Sequence, residues 1–310
     1  MPRRPQTGSH VRPSGRQANL SVVQAPVSPH LNFTQLGESE WIRMLVYSSP
    51  GNGKTSFIAT GAAEYPTLII RSSMDLIPAR ALRSGAHEIV ADTHEKMLQI
   101  LEWCQHIDPM PYEWIWWDCI SIAQDVLLDD VWEAAWRNKP GRNWVLDDNG
   151  RPTNKPNITS TGGKDKPEYG TNADRIQQWV RHMIGCKRFH FGITAHPLEG
   201  PHPANDEGGD VLRPYIQVRQ MPEKICGYMN MVGFMEVVEE GKKEIRRIHF
   251  TESSRYYAKD HFDAFLPDGY VDDPTIPQIM RAVEAARSGG AGLRSQRGRA
   301  AATRRGRREQ

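Results

Sequence analysis

Cysteine is scarce in this 310-residue chain and widely spaced. Cys104, Cys119, Cys186 and Cys226 form no C-x-x-C pair, which argues against a zinc ribbon or a disulfide framework and for reduced thiols. Long apolar runs are missing as well. No stretch nears the roughly 20 apolar residues of a membrane helix. Arg3 and Arg4 have no apolar run behind them, so no secretory signal is read there. A cytoplasmic protein with no membrane partner is therefore expected. Acidic residues are absent from positions 1–30, which carry Arg3, Arg4, Arg12 and Arg16. Glu309 is the one acid beside eight arginines in residues 287–310. The ends thus hold twelve of the 39 basic residues and one of the 37 acidic ones, so a net charge of +2 conceals an acidic body with basic tails. No internal repeat is found.

What is present divides into three parts. Residues 1–30, rich in Pro, Ser, Gln and Arg, read as a disordered basic segment with too little apolar surface to offset ordering. Residues 31–275 read as one folded domain, and 276–310 as a terminal helix (starting at about Pro274) followed by a disordered Arg-rich tail. Within the domain, Trp41–Tyr47, Thr67–Ile70, Trp114–Trp117 and Phe189–Thr194 are expected strands. Thr55–Ala63, Asp92–Ile107, Ile122–Trp136 and about Asn172–Cys186 are expected helices, with Asp92 and Glu95 in capping-box spacing. This alternation implies an α/β fold with a mostly parallel sheet and flanking helices. Tyr228–Glu239 and Lys243–Phe250, joined at Glu240-Gly241, imply a C-terminal β-hairpin extending the sheet. Residues 138–170, rich in Pro and Gly, read as a long surface insertion, mobile or ordered by a ligand.

The strongest signal is Ser48-Ser49-Pro50-Gly51-Asn52-Gly53-Lys54-Thr55, followed by Ser56, between an expected strand and an expected helix. It matches the phosphate loop G-x-x-x-x-G-K-[ST], with Ser48 in place of the first glycine. Gly51 and Gly53 let backbone N–H groups turn inward around phosphates. Lys54 is expected to reach the β- and γ-phosphates and Thr55 to place its hydroxyl on Mg²⁺. The helix N-terminus adds donors and a favourable dipole. A second acid at the end of a neighbouring strand is needed to hold the metal through water. Trp114-Ile115-Trp116-Trp117-Asp118 supplies it. ATP and Mg²⁺ are the ligands these motifs call for.

Taken in order, these motifs resemble the RecA-like P-loop ATPases, and more closely the phage-encoded members associated with single-strand annealing and recombination. The resemblance spans about residues 40–268. It rests on SSPGNGKT, on WIWWDCIS with Cys119 where the family has serine and Ser121 retained, on FGITAHP (191–197), and on YYAKDHFDAFLP (256–267) with His261 where arginine is common. It implies a RecA-like core that hydrolyses ATP, with Lys54 and Asp118 catalytic. It implies a γ-phosphate sensor at His196 and a late lysine, Lys259, that reaches the nucleotide of a neighbouring subunit in a homo-oligomer. The family places a water-polarising glutamate just after the strand that follows the P-loop helix. Here Ser73 stands at that position, and Asp75, two residues on, reads as the only nearby carboxylate. Either Asp75 serves, or hydrolysis is slow and the protein works as an ATP-bound clamp.

Arginine-rich tails neutralise phosphates without selecting sequence, so with such a core the expected partner is single-stranded DNA. Most of the nine tryptophans fit core packing. Trp144, in the polar insertion, suits either a base-stacking role or a loop anchor. Competing readings are a P-loop kinase acting on a small molecule, with Arg142 and Arg151 in a closing lid, and a DNA packaging or replication motor.

Overall fold

The apolar strands of this sequence need cover on both faces, because a run such as Met44–Tyr47 leaves no side for water. The computed structural model describes residues 41–138, 144–150, 152–156, 167–202, 209–218, 220–241 and 243–288. In chain order these form β1 (Arg43–Tyr47), α1 (Lys54–Ala59, continued by a 3-10 turn over Thr60–Ala63), β2 (Thr67–Arg71), α2 (Ala79–Leu82), β3 (His87–Val90), α3 (His94–His106), β4 (Trp114–Trp117), α4 (Ile120–Asn138), β5 (Trp144–Leu146), β6 (Pro152–Pro156) and α5 (Pro167–Gly185). There follow β7 (His190–Ala195), β8 (Pro197–Pro201), β9 (Asp210–Pro214), α6 (Met221–Tyr228), β10 (Met231–Glu240), β11 (Lys243–His249), β12 (Lys259–Asp260), β13 (Tyr270–Asp272) and α7 (Ile276–Arg287).

Strands run parallel in the order β3-β2-β4-β7-β1-β10, and β11 and β13 continue the sheet antiparallel. The short β12 pairs with β10 beyond the end of β11. This is the expected α/β class: a mostly parallel sheet, flanking helices and a C-terminal hairpin, turned at Gly241 with φ 70°. Side chains alternate between two cores with the period of two that a strand imposes. Leu45, Tyr47, Ile115 and Trp117 face α3–α6. Met44, Val46, Trp114 and Trp116 face α1, α2 and α7. Trp116 stacks on Trp114 at 5.0 Å between ring centroids. It also lies across Gly192 on the neighbouring strand, where a Cβ would come within 2.1 Å of the indole.

Several boundaries differ from the sequence reading. The α3 cap is Thr93, whose hydroxyl accepts the Lys96 N–H at 3.1 Å, not Asp92. Asp92 instead binds Ser72 and Ser73 across the sheet end. Helix α5 begins at Pro167, earlier than Asn172, so the insertion is shorter than expected; its described part is the antiparallel pair β5–β6. Strand β3, the β8–β9 hairpin and α6 went unread, because HEIV and PLEGP mix polar or breaking residues into short runs without clear period. Residues 1–30, the Trp144 side chain and the Arg-rich tail from position 289 lie outside the described residues.

Candidate active site

The parallel strands β1, β2, β4 and β7 all end at one edge, and the chemistry-bearing residues follow their last positions. That edge is where open α/β sheets bind ligands. Ser48 continues β1, Asp118 continues β4, and Thr194 and His196 close β7.

The phosphate loop has the backbone its glycines allow. Gly51 and Gly53 stand at φ 86° and 99°, the left-handed region that a side chain disfavours. Gly53 caps α1, and the Phe57 N–H donates to its carbonyl at 2.8 Å. Lys54 is buried. Its Nζ donates to the Ser48 carbonyl at 2.7 Å, and to Ser48 Oγ and the Ser49 carbonyl at 3.3 Å. The Ser48 hydroxyl, where the motif has glycine, therefore helps to hold the ammonium. Burial lowers the Lys54 pKa, while the nearby Cys119, Asp118 and Asp75 act to raise it.

Asp118 is buried and engaged through both oxygens. Thr55 Oγ1 donates to Oδ2 at 2.6 Å, and Thr194 Oγ1 donates to Oδ1. The carboxylate, at the end of β4, is thus tied to both α1 and β7. Thr194 was missed as a site residue, although it lies inside the FGITAHP segment. Asp75 reaches the same place. Its Oδ2 accepts the Ser72 N–H at 3.0 Å and the Cys119 N–H at 3.4 Å. Burial, together with the Asp118 charge, pushes its carboxyl up to about 7 against those two hydrogen bonds. Asp75 is not the only carboxylate near Ser73, since Asp92 accepts the Ser73 N–H at 2.9 Å. Burial and Asp118 also push the Cys119 thiol up to about 12, so it stays protonated.

His196 is half-buried, and its pKa is lowered by burial and by the Lys54 charge against the pull of Asp118. Its backbone N–H donates to Ser121 Oγ at 2.9 Å, and Ser121 in turn donates to the Tyr215 carbonyl at 2.7 Å. Lys259 is not with this group in its own chain. It pairs with Val232, which pairs with Leu45, two residues before β1 ends. Ser49, Pro50 and Gly51 are exposed on the loop, while Asn52 and Ser56 are half-buried. One further residue is brought in from afar: Arg246 of β11 donates from Nε to the Asn52 carbonyl at 3.1 Å.

The residues fit a nucleotide and its metal. An ammonium held by loop oxygens, a threonine hydroxyl bonded to a buried carboxylate and two left-handed glycines form a donor-and-acid set suited to a metal-bound polyphosphate. Among the described residues no cluster of three His, Cys, Asp or Glu side chains forms a metal site by itself. No helix among them is long and apolar enough to cross a membrane.

No protein-family model matches the chain. No curated protein matches it either. Solved structures similar to it include a KaiC-like protein of the hyperthermophilic archaeon Pyrococcus horikoshii, 12% identical, with 67% of this chain and 77% of that one covered at a TM-score of 0.36. The RadB recombinase is 9% identical, with 74% of this chain and 86% of that one covered at a TM-score of 0.40. At these scores neither likeness bears on what this chain binds or does.

Proposed function

We propose that the chain is a Mg²⁺-dependent ATPase with a RecA-like P-loop core, and that it serves as a single-stranded-DNA-binding protein of a phage-type recombination or annealing system. The observation that carries the ATPase reading is the bonded series Thr55–Asp118–Thr194 beside the buried Lys54 ammonium. Lys54 exchanges the Ser48 and Ser49 oxygens for phosphate oxygens, and the loop N–H groups turn around the same phosphates. Thr55 and Asp118 would hold Mg²⁺, which when bound supplies charge against the phosphate oxygens. Asp75, with its carboxyl raised into the neutral range, takes the water-orienting role that Ser73 cannot. His196 senses the phosphate end, and Lys259 acts on a neighbouring copy in a homo-oligomer. The DNA reading rests on the basic ends, whose arginines suit phosphates irrespective of sequence.

ATP turnover measured with and without single-stranded DNA tests both levels. Stimulation supports the proposal. Turnover that needs a small-molecule acceptor indicates a kinase, and stimulation by duplex alone indicates a motor. Deleting Ser288–Gln310 should lower DNA affinity without changing basal turnover. If about four of its arginines meet phosphates, the log–log salt slope should shrink by roughly 3. Asp75→Asn should retain ATP binding and lose most turnover; persistent turnover would remove Asp75 from the water-orienting role.

A further inference from the structure

A groove runs from the phosphate loop along the outer side of α1. Its first part, about 320 Å³, is lined by Gly53, Ser56, Phe57, Arg80, Met235 and Arg246. A second part of about 390 Å³ shares Ser56, Thr60, Arg80 and Thr275 with it and continues to Arg281. The groove therefore begins at the glycine preceding Lys54, and Asp118 is not among its lining residues.

Arg246 stands at its entrance. The side chain is exposed, yet it is aimed. Nε donates to the Asn52 carbonyl, and the guanidinium lies over Gly53 so closely that a Cβ there would come within 2.7 Å of Nε. Gly53 thus serves twice: it takes a left-handed conformation and leaves room for an arginine. The two terminal nitrogens of Arg246 make no hydrogen bond among the described residues. The backbone is pinned as well. The Arg246 N–H donates to Asp273 Oδ1 at 3.2 Å, and the Asp273 N–H donates to the Arg246 carbonyl at 2.6 Å. Asp273 leads through Pro274 to Thr275, whose hydroxyl caps α7 by accepting the Gln278 N–H at 3.3 Å.

We infer that Arg246 is a phosphate-binding residue supplied by the chain's own C-terminal hairpin, that it holds the α-phosphate of a nucleoside di- or triphosphate whose nucleoside lies in this groove, and that through Asp273 it couples nucleotide occupancy to the start of α7. The inference rests on the nucleotide reading above. An arginine fork with two unengaged N–H corners suits a phosphate bearing two non-bridging oxygens. Its place beside Gly53, on the groove side of the loop, assigns it to the α-phosphate and away from the γ end, where Thr55 and Asp118 gather.

Calorimetry with ATP and with ADP, on the wild type, Arg246→Gln and Arg246→Lys, tests this. Arg246→Gln should weaken ATP and ADP alike by about 10- to 100-fold. Arg246→Lys should fall between, since a point charge cannot reproduce the fork. Amide hydrogen exchange over Asp273–Gln278 should slow when ADP binds the wild type and stay unchanged in Arg246→Gln at saturating ADP. Wild-type affinity for both nucleotides in Arg246→Gln overturns the inference, and so does a loss confined to ATP, while the nucleotide reading survives either result. A wild type that binds neither nucleotide removes the nucleotide reading itself and this inference with it. If Arg246→Gln fails to fold, Arg246→Lys carries the same comparison, because ATP and ADP must then weaken together.

Discussion

The Thr55 hydroxyl donates to the Asp118 carboxylate at 2.6 Å across 63 residues of sequence. One residue lies in the first turn of α1 and the other continues β4, so the bond exists only because β7 alone separates β1 from β4 in the sheet. Asp118 is buried, and a buried carboxylate is costly unless its oxygens have donors. Thr194 supplies the second donor from the intervening strand.

Thr194→Val removes that donor with little change of shape. It should cost about 1–3 kcal/mol of stability and lower ATP turnover more than ATP affinity, because the carboxylate proposed to hold the metal is free to turn. Thr194→Ser keeps the hydroxyl and should stay near wild type in both. Denaturant melts alongside steady-state turnover check this. Equal turnover in Val and Ser variants would leave Thr194 a packing residue.

Lys54→Ala should weaken ATP binding by about 100-fold, the upper end of what a charge-assisted phosphate contact contributes. Because Lys54 donates to the Ser48 carbonyl in a buried setting, a stability loss of about 1 kcal/mol should accompany it. Calorimetry and a thermal melt separate the two. Unchanged ATP affinity would sink the phosphate-loop assignment.

His190 gives the fold an acid limit. Its Nδ1 accepts the Ile42 N–H at 2.8 Å, so that nitrogen carries no proton, and the ring packs against Trp41 and Trp114. Burial, helped by the Arg287 charge, lowers its pKa to about 4. The unfolded chain protonates first, near the ordinary value of about 6.5. Stability from this group is therefore complete above about pH 6.5 and falls as pH drops towards 4, by at most about 1.4 kcal/mol per unit. His190→Gln can still accept from Ile42 and should flatten that part of the stability–pH curve. Identical slopes for variant and wild type between pH 6.5 and 4 would show that His190 does not set the limit.

Gly192→Ala places a methyl group against the six-membered ring of Trp116, fixed by the pairing of β4 with β7. Backbone and indole are both central to the sheet, so little can yield, and a loss of about 3 kcal/mol or more is expected. Adding Trp116→Leu should recover part of it, and the double-mutant cycle measures how much of the cost belongs to the pair. Strictly additive losses would place the clash elsewhere.

The sequence by itself determined whatever is encoded over a few consecutive residues. Ser48–Thr55 reads as a phosphate loop because strand, glycines, lysine and helix start are contiguous, and Trp114–Asp118 reads as a buried strand ending in an acid for the same reason. The parallel sheet and the C-terminal hairpin were likewise legible from apolar runs and the Glu240-Gly241 turn. Only the tertiary structure decided which distant groups join that loop. Thr194 meets Asp118 because β7 lies beside β4; Asp75 and Asp92 converge because β2 and β3 end together; Arg246 reaches Asn52 because the hairpin folds back along β10 beside β1. Those partners stand 76 and 194 residues from Asp118 and Asn52 respectively, and no local period records such a distance. Strand order sets it, and strand order follows from burying both faces of one sheet at once.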